Sequence, residues 1–575
     1  MRDAGSDFMV DCIRNLGYEY VAAMPGSTFR GLQESVISYA DNKNPEWITC
    51  LHEEISAAMA HGYFKACGKP MAIMVHNIVG LQHASMGIYQ AWCDRVPMGV
   101  FLGNYADATQ RNGSLEWWHG AQDVPAMMRG AIKYDDAPAS LQHFAESLER
   151  GHSLAMTPPY GPYIIVADQV LQEGTRSGNP MMRPYVPVSP PAADANAIAQ
   201  IAKMLVAAKN PVIVVDRAAR TPAGVPLLVE LAELLQAPVI DRLARMNFPT
   251  NHHLWQQLPV IAEADLVLAL DVGDLFNTLG DVADTPHRET TWRIKPGTKV
   301  ISIDSELLAS SANYQDKMRF YQADLPVGGD SEASLPSLIE AVKRAMTTAR
   351  RNENPQREAR WREAFQTRRE GDLRAAAIAW DASPISIARL CMEVWNQIKH
   401  EEWALVSQAT FQAFWQQRLW DFTKHSQYLG HQGAAGVGYT GPAAVGAALA
   451  HRSDGTICVN IQGDGDFMVL PGAQWTAAHH KLPLLTLMHN NRAYHQETMY
   501  IQKMAGRRDR HPERGRIGTE ITNPNIDYAK IAQGLGVYAE GPITSPADLG
   551  PAIARALKVV KSGHPALLDV VTQPR

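Results

Sequence analysis

The sequence predicts an α/β protein built from three doubly wound parallel-sheet domains. Three observations carry that prediction. Apolar runs of strand length recur throughout the chain, stretches of helical length separate them, and two segments interrupt the rhythm. Strand, helix, strand repeated many times is the pattern of parallel sheets covered by helices.

In the first third the runs are YVAAMPG, MAIMVHN, MGVFLGN and PYIIVAD, with helical stretches expected at 53–67 and 79–93. Residues 174–191, GTRSGNPMMRPYVPVSPP, are rich in proline and glycine and read as a linker. A helical stretch at 192–209 and the runs PVIVVDR, LVLALDVG and KVISIDS make the middle third. Residues 346–376 are dense in arginine and glutamate and read as a solvated helix and second linker. The last third carries WALVSQA, TICVNIQGDG, LPLLTLMHN and PALLDVV, with a helix at 441–451. The expected units are therefore 1–173, 190–345 and 377–575.

The bulk properties exclude several classes. A length of 575 residues suits three or four domains of roughly 150 residues each. Net charge is only −6, which favours neither nucleic acid nor an anionic membrane. The six cysteines are scattered without a C-x-x-C pair, so neither a zinc site nor a disulfide framework is expected. The opening segment lacks a signal-type apolar region, and there is no run of 18 apolar residues. A reduced, cytoplasmic setting is the expectation.

The chemistry starts at IQGDGDFMVLPGAQWTAAHHKLPLLTLMHNNRAYHQE, residues 461–497. Asp464 stands at the carboxyl end of an expected strand, where open α/β sheets bind ligands. Its neighbours Gly463 and Gly465 allow close backbone approach. An acid repels a phosphate, but it can hold a divalent cation that in turn holds the phosphate. Magnesium takes oxygen ligands, often one or two carboxylates plus phosphate oxygens. One helix and one strand later the chain returns Asn491 to the same sheet edge, 27 residues on. Its amide oxygen is a second ligand, and the Ala493 carbonyl a candidate third. Either motif alone is common in turns; the pair on a strand–helix–strand frame is specific. A dinucleotide fingerprint fits poorly, because G-x-G-x-x-G needs glycine where Met468 stands.

This stretch resembles the thiamine diphosphate motif of the acetolactate synthase, pyruvate decarboxylase and benzoylformate decarboxylase superfamily. The resemblance implies a pyrimidine-binding domain, a central domain and a diphosphate-binding domain, matching the three units. It implies thiamine diphosphate and Mg2+ as cofactors, and a homodimer or homotetramer with each cofactor between two subunits. It also implies a glutamate that hydrogen-bonds the aminopyrimidine, opening a helix nine residues before a Gly-Tyr pair. In LHEEISAAMAHGYFK that spacing selects Glu53, with Glu54 as the less favoured neighbour. In GHQGAAGVGYTGPAAVGAALA, residues 430–450, the resemblance makes Val437 the bulky residue that bends the cofactor. Gln432 and Gly433 fall where the family contacts cofactor, and Asp466 joins the diphosphate loop. The central unit reads as a helper domain without FAD.

Three further residues match benzoylformate decarboxylase in particular. Ser27 follows the Pro25-Gly26 turn, His76 ends the run MAIMVH, and His252 closes Phe-Pro-Thr-x-His. The resemblance makes Ser27 a substrate-carboxylate contact and the histidines proton donors. A histidine suits protonation of a carbanion near neutral pH. His83, His431, His479 and His480 remain spare candidates, and His489 reads as structural. Asn104 departs from a glutamine common in relatives. The arginine-rich stretch 504–518 reads as a solvated loop, with a lid over an anionic substrate as the alternative. The expected activity is non-oxidative decarboxylation of a small 2-oxo acid, without nucleic-acid or membrane partners. The rivals are an acetolactate-synthase-like carboligase, a nucleotide-binding oxidoreductase, and a cofactor-binding protein without catalysis.

Overall fold

Three parallel sheets follow one another along the computed structural model. It describes residues 3–574 except 112, 114–117, 177, 285–286, 309–318 and 432. The first sheet has the spatial order Glu46–Thr49, Tyr20–Ala23, Ala72–His76, Gly99–Asn104, Tyr163–Asp168, Tyr134–Asp136. Its strand order reverses between Tyr20–Ala23 and Ala72–His76, so the loops after Ala23 and His76 flank a switch-point crevice. The second sheet runs Leu325–Gly328, Lys299–Asp304, Leu266–Leu270, Pro211–Val215, Val239–Asp241, Trp255–Gln256. The third runs Trp403–Ser407, Ile457–Gly463, Leu484–Asn490, Ala566–Val571, Tyr538–Ile543. The central strands are buried on both faces, which explains their continuous apolar runs.

The first and third units share one core. Helices Glu53–Cys67 and Thr440–Ala450 cross so closely that a Cβ on Gly62 would collide with the Ala443 carbonyl. A Cβ on Gly446 would meet the Met59 carbonyl in the same way. A buried ionic cluster joins all three units. Asp94 accepts from Lys65 at 2.5 Å, His61 at 2.8 Å and Arg245 at 2.8 Å, while Lys65 also reaches the His431 carbonyl at 2.8 Å. The arginine and lysine charges hold the Asp94 carboxyl well below its ordinary value despite burial.

The expected linker at 346–376 is a single helix, Thr348–Ala377, and it is docked on the central unit. Arg350 caps two helix ends by donating to the carbonyls of Ala208 and Leu235, and Trp361 is buried in the central core. Its outer face is solvated, as the charge density suggested. The stretch 504–518 is not all loop. Helix His495–Arg507 runs into it, and Lys503 reaches Asp284 of the central unit at 2.7 Å. Among the described residues no helix is long and apolar enough to cross a membrane.

Candidate active site

Adjacent strands Ile457–Gly463 and Leu484–Asn490 pair with Gly463 opposite His489, which sets Asp464 and Asn491 side by side. They line a cavity of about 280 Å³ together with Ala493, Val437 and Tyr494. The two asparagines divide their roles. Asn490 is buried and donates to Asp569 at 2.9 Å, whereas Asn491 faces the cavity. Asp464 is 2% exposed, and its Oδ2 has no hydrogen-bond partner among the described residues. Burial pushes its carboxyl up to about 7, against the pull of backbone N–H groups including those of Gly465, Arg492 and Ala493. A buried carboxylate without a partner is costly unless a proton or cation neutralises it. The orphaned oxygen and the Asn491 amide oxygen, which also accepts from the Ala493 N–H at 3.1 Å, border one cavity and are the hard ligand type a divalent cation takes.

Val437 is 45% exposed, with its side chain lining this cavity, and Gly438 beyond it adopts φ +100°, which favours glycine. Asp466 also borders the cavity, but its carboxylate is engaged. It accepts from the Gly438 N–H at 2.6 Å, the Thr440 hydroxyl at 2.8 Å and Gln462 at 2.8 Å, and so shapes the loop that carries Val437. The residues lining the cavity run from Gln408 to Glu497; among the described residues none comes from the first unit.

The first unit holds a separate cluster. Glu53 opens helix Glu53–Cys67, capped by the His52 ring, which accepts from the Glu54 N–H at 3.1 Å. Glu53 is 3% exposed, and its Oε2 accepts from His83 Nδ1 at 3.0 Å. Oε1 lies over Gly80, 3.2 Å from where a Cβ would stand. One helical turn before Gly80, His76 ends its strand at the switch point. Its Nδ1 contacts the Thr28 hydroxyl at 3.0 Å and its Nε2 contacts His119 Nδ1 at 2.8 Å.

Three family models match the chain in order. The thiamine pyrophosphate enzyme N-terminal TPP binding domain covers residues 3–124, the central domain 198–338 and the C-terminal TPP binding domain 409–570. The chain is a thiamine pyrophosphate enzyme. It is 23% identical to acetolactate synthase of Bacillus subtilis, over 99% of this chain and 93% of that protein. It is 26% identical to benzoylformate decarboxylase of Pseudomonas aeruginosa, over 92% of each. Its fold is similar to that of benzoylformate decarboxylase from Polynucleobacter necessarius, with TM-score 0.79, 18% identity and coverage of 100% and 99%.

In this thiamine pyrophosphate enzyme of the acetolactate synthase and benzoylformate decarboxylase type, the residues singled out from the sequence fall in different settings. The Thr28 hydroxyl reaches His76, while Ser27, expected as a substrate-carboxylate contact, is exposed at the start of the turn Ser27–Phe29. His252 is not brought to either cluster. Its Nε2 pairs with Glu233 at 3.2 Å and its Nδ1 accepts from the Leu254 N–H at 3.1 Å, both within the central unit. Gly433 packs against the backbone of Asp94 rather than lining the cavity, and Gln432 lies outside the described residues. His489, read as structural, borders the cavity, and burial lowers it to about 4. Asn104 is committed inward, accepting from Asn77 at 2.8 Å and donating to the Ala121 carbonyl at 2.9 Å. No motif in the sequence points to Thr28 or His119. Thr28 had one available signal, its place beside Ser27; His119 had none.

Proposed function

We propose that this enzyme is a magnesium-dependent, non-oxidative 2-oxo acid decarboxylase. One observation carries the reading: His76 stands at the switch point of the first sheet, linked through both ring nitrogens to Thr28 and His119. Such a chain can pass a proton in either direction, because each member can donate on one side and accept on the other. Bound thiamine diphosphate supplies the ylid and the electron sink. Asp464, Asn491 and the Ala493 carbonyl hold the cation, and Val437 shapes the space beside it. Glu53 shares a proton at the aminopyrimidine nitrogen. Ser27, exposed beside Thr28, orients the substrate carboxylate, and His76 returns a proton to the reacting carbon.

The two clusters serve one site from two copies of the chain. In support, among the described residues none of the first unit lines the Asp464 cavity. Helix His495–Arg507, whose first turn borders that cavity, also exposes Met499, Tyr500, Ile501 and Met504. Apolar side chains exposed together on one helix mark a docking surface.

The second reading is an acetolactate-synthase-like carboligase, supported by the full-length similarity to the Bacillus subtilis enzyme. Single-turnover kinetics on His76→Ala with an accepted 2-oxo acid separates the two. The decarboxylase reading expects aldehyde release to slow by about 10²- to 10⁴-fold, with carbon dioxide release slowed less and carboligation raised relative to release. Unchanged release and product ratio would put the carboligase reading ahead.

A further inference from the structure

His83 is drawn in by neither the family match nor the proposed mechanism, yet it is the side chain bonded to Glu53. The two differ in access: the Glu53 side chain is 5% exposed and that of His83 48%. On its other contact the His83 ring stacks on His52, with centroids 4.9 Å apart and planes at 23°. His52 is itself anchored, through Nδ1, on the Glu54 N–H. The His83 ring is therefore fixed between a carboxylate and a second imidazole.

His52, Glu53 and His83 bring potential metal-ligand atoms within 4.8 Å of one another. Near-parallel rings set their in-plane lone pairs side by side, not at a common point, so the cluster suits hydrogen bonding better than chelation. Glu53 and His52 are the titratable groups in contact with the ring among the described residues. Burial disfavours a charge on His52, Glu53 opposes this and His83 adds to it; the net shift is downward. The imidazole that bonds Glu53 and also meets solvent is thus the half-exposed His83 ring.

We propose that His83 is the positioning residue of Glu53: its Nδ1–H holds Oε2, leaves Oε1 free for the cofactor, and the charge on its ring tunes how strongly the carboxylate acts. This rests on the reading that Glu53 serves the aminopyrimidine. A neutral ring fixes the carboxylate and leaves it a full negative charge. A protonated ring cancels part of that charge and weakens the pull of Oε1 on a pyrimidine proton. Cofactor activation should therefore be weaker with the ring protonated than with it neutral.

The test compares His83→Asn, which keeps an N–H donor but cannot be protonated, with His83→Ala, which removes the donor. Exchange of the cofactor C2 proton is followed by NMR from pH 5.5 to 8.5. Affinity for thiamine diphosphate with magnesium is measured by calorimetry on cofactor-free protein. An opposite charge within about 4–6 Å biases a carboxylate by roughly one to three tenfold steps. For a half-exposed ring the expected wild-type rise is about tenfold, the lower end. His83→Asn should keep the high-pH rate and wild-type affinity while flattening the profile. His83→Ala should be slow at every pH and bind the cofactor about tenfold more weakly, a typical loss for one charged hydrogen bond. Comparing profiles cancels the cofactor's own titration. If His83→Asn keeps the wild-type profile, or His83→Ala keeps wild-type rate and affinity, the role of His83 is overturned. Glu53→Gln distinguishes the two levels: unimpaired exchange there removes the reading of Glu53 itself, whereas slow exchange there with silent His83 variants removes only the proposal.

Discussion

Asp464 should make the cation-free protein lose stability as pH rises. Burial raises its carboxyl from an ordinary 3.8 to about 7, so the folded state holds that proton more tightly than the unfolded chain. For a raised acid the sign is fixed: stability falls as pH climbs from about 4 to about 7, and the full penalty is present above the folded value. A shift of about three units corresponds to about 4 kcal/mol at pH 8. Between pH 6 and pH 8 the deprotonated cost grows by about one unit, or about 1 kcal/mol. Asp464→Asn removes the charge while keeping the shape, so it should be more stable than wild type at pH 8 and closer to it at pH 6. Magnesium with cofactor at about a hundred times the dissociation constant should add about 3 kcal/mol to wild type, and little to the variant. Scanning calorimetry of the cofactor-free proteins at both pH values measures the difference, in which other titrations cancel. If wild type and variant show the same pH slope, burial does not raise the Asp464 carboxyl as argued here; if magnesium with cofactor stabilises both alike, Asp464 is not the cation ligand.

Further outcomes follow from the same geometry. Glu53→Gln should bind cofactor yet exchange its C2 proton far more slowly; if Glu54→Gln does so instead, the helix register has been misread by one residue. Asp94→Ala leaves Lys65 and Arg245 buried without their shared anion, and breaking such a cluster should cost about 3–5 kcal/mol in denaturant unfolding. A change within experimental error would mean that water relieves the charges. Gly62→Ala forces a methyl into the Ala443 carbonyl and should cost about 1–3 kcal/mol, lowering the melting temperature; an unchanged melting temperature would show that the helix crossing can yield.

What the sequence disclosed follows from where each interaction is encoded. The eleven apolar runs became strands because each is buried on both faces, and burial leaves a local apolar signal. The strands left unread were mostly short and at sheet edges. Glu46–Thr49, Tyr134–Asp136, Leu325–Gly328 and Tyr538–Ile543 all end their sheets and carry polar or proline residues that blur the run. Asp464 and Asn491 were legible because one strand–helix–strand unit brings them together at fixed spacing. The place of Glu53 at the head of a helix was legible from its spacing to Gly62-Tyr63. The pairs Thr28–His76, His76–His119 and Glu53–His83 join separate elements, and no local pattern announces a tertiary contact. The packing of Gly433 was hidden for the same reason: a glycine in a loop looks alike whether it admits a phosphate or lies, as here, against the backbone at Asp94. His252 sits in an apt motif, yet its ring is held by Glu233 and the Leu254 N–H of its own unit.

The central claim is that Glu53 of one copy and Asp464 of another complete one thiamine diphosphate site. Mixing Glu53→Gln protein with Asp464→Ala protein tests it most directly. Each variant alone should lack C2-proton exchange, one through lost activation and the other through lost binding. After subunit exchange, verified by native mass spectrometry, random pairing should restore exchange in about a quarter of the wild-type number of sites. Mixed oligomers that form but show no restored exchange would contradict the account.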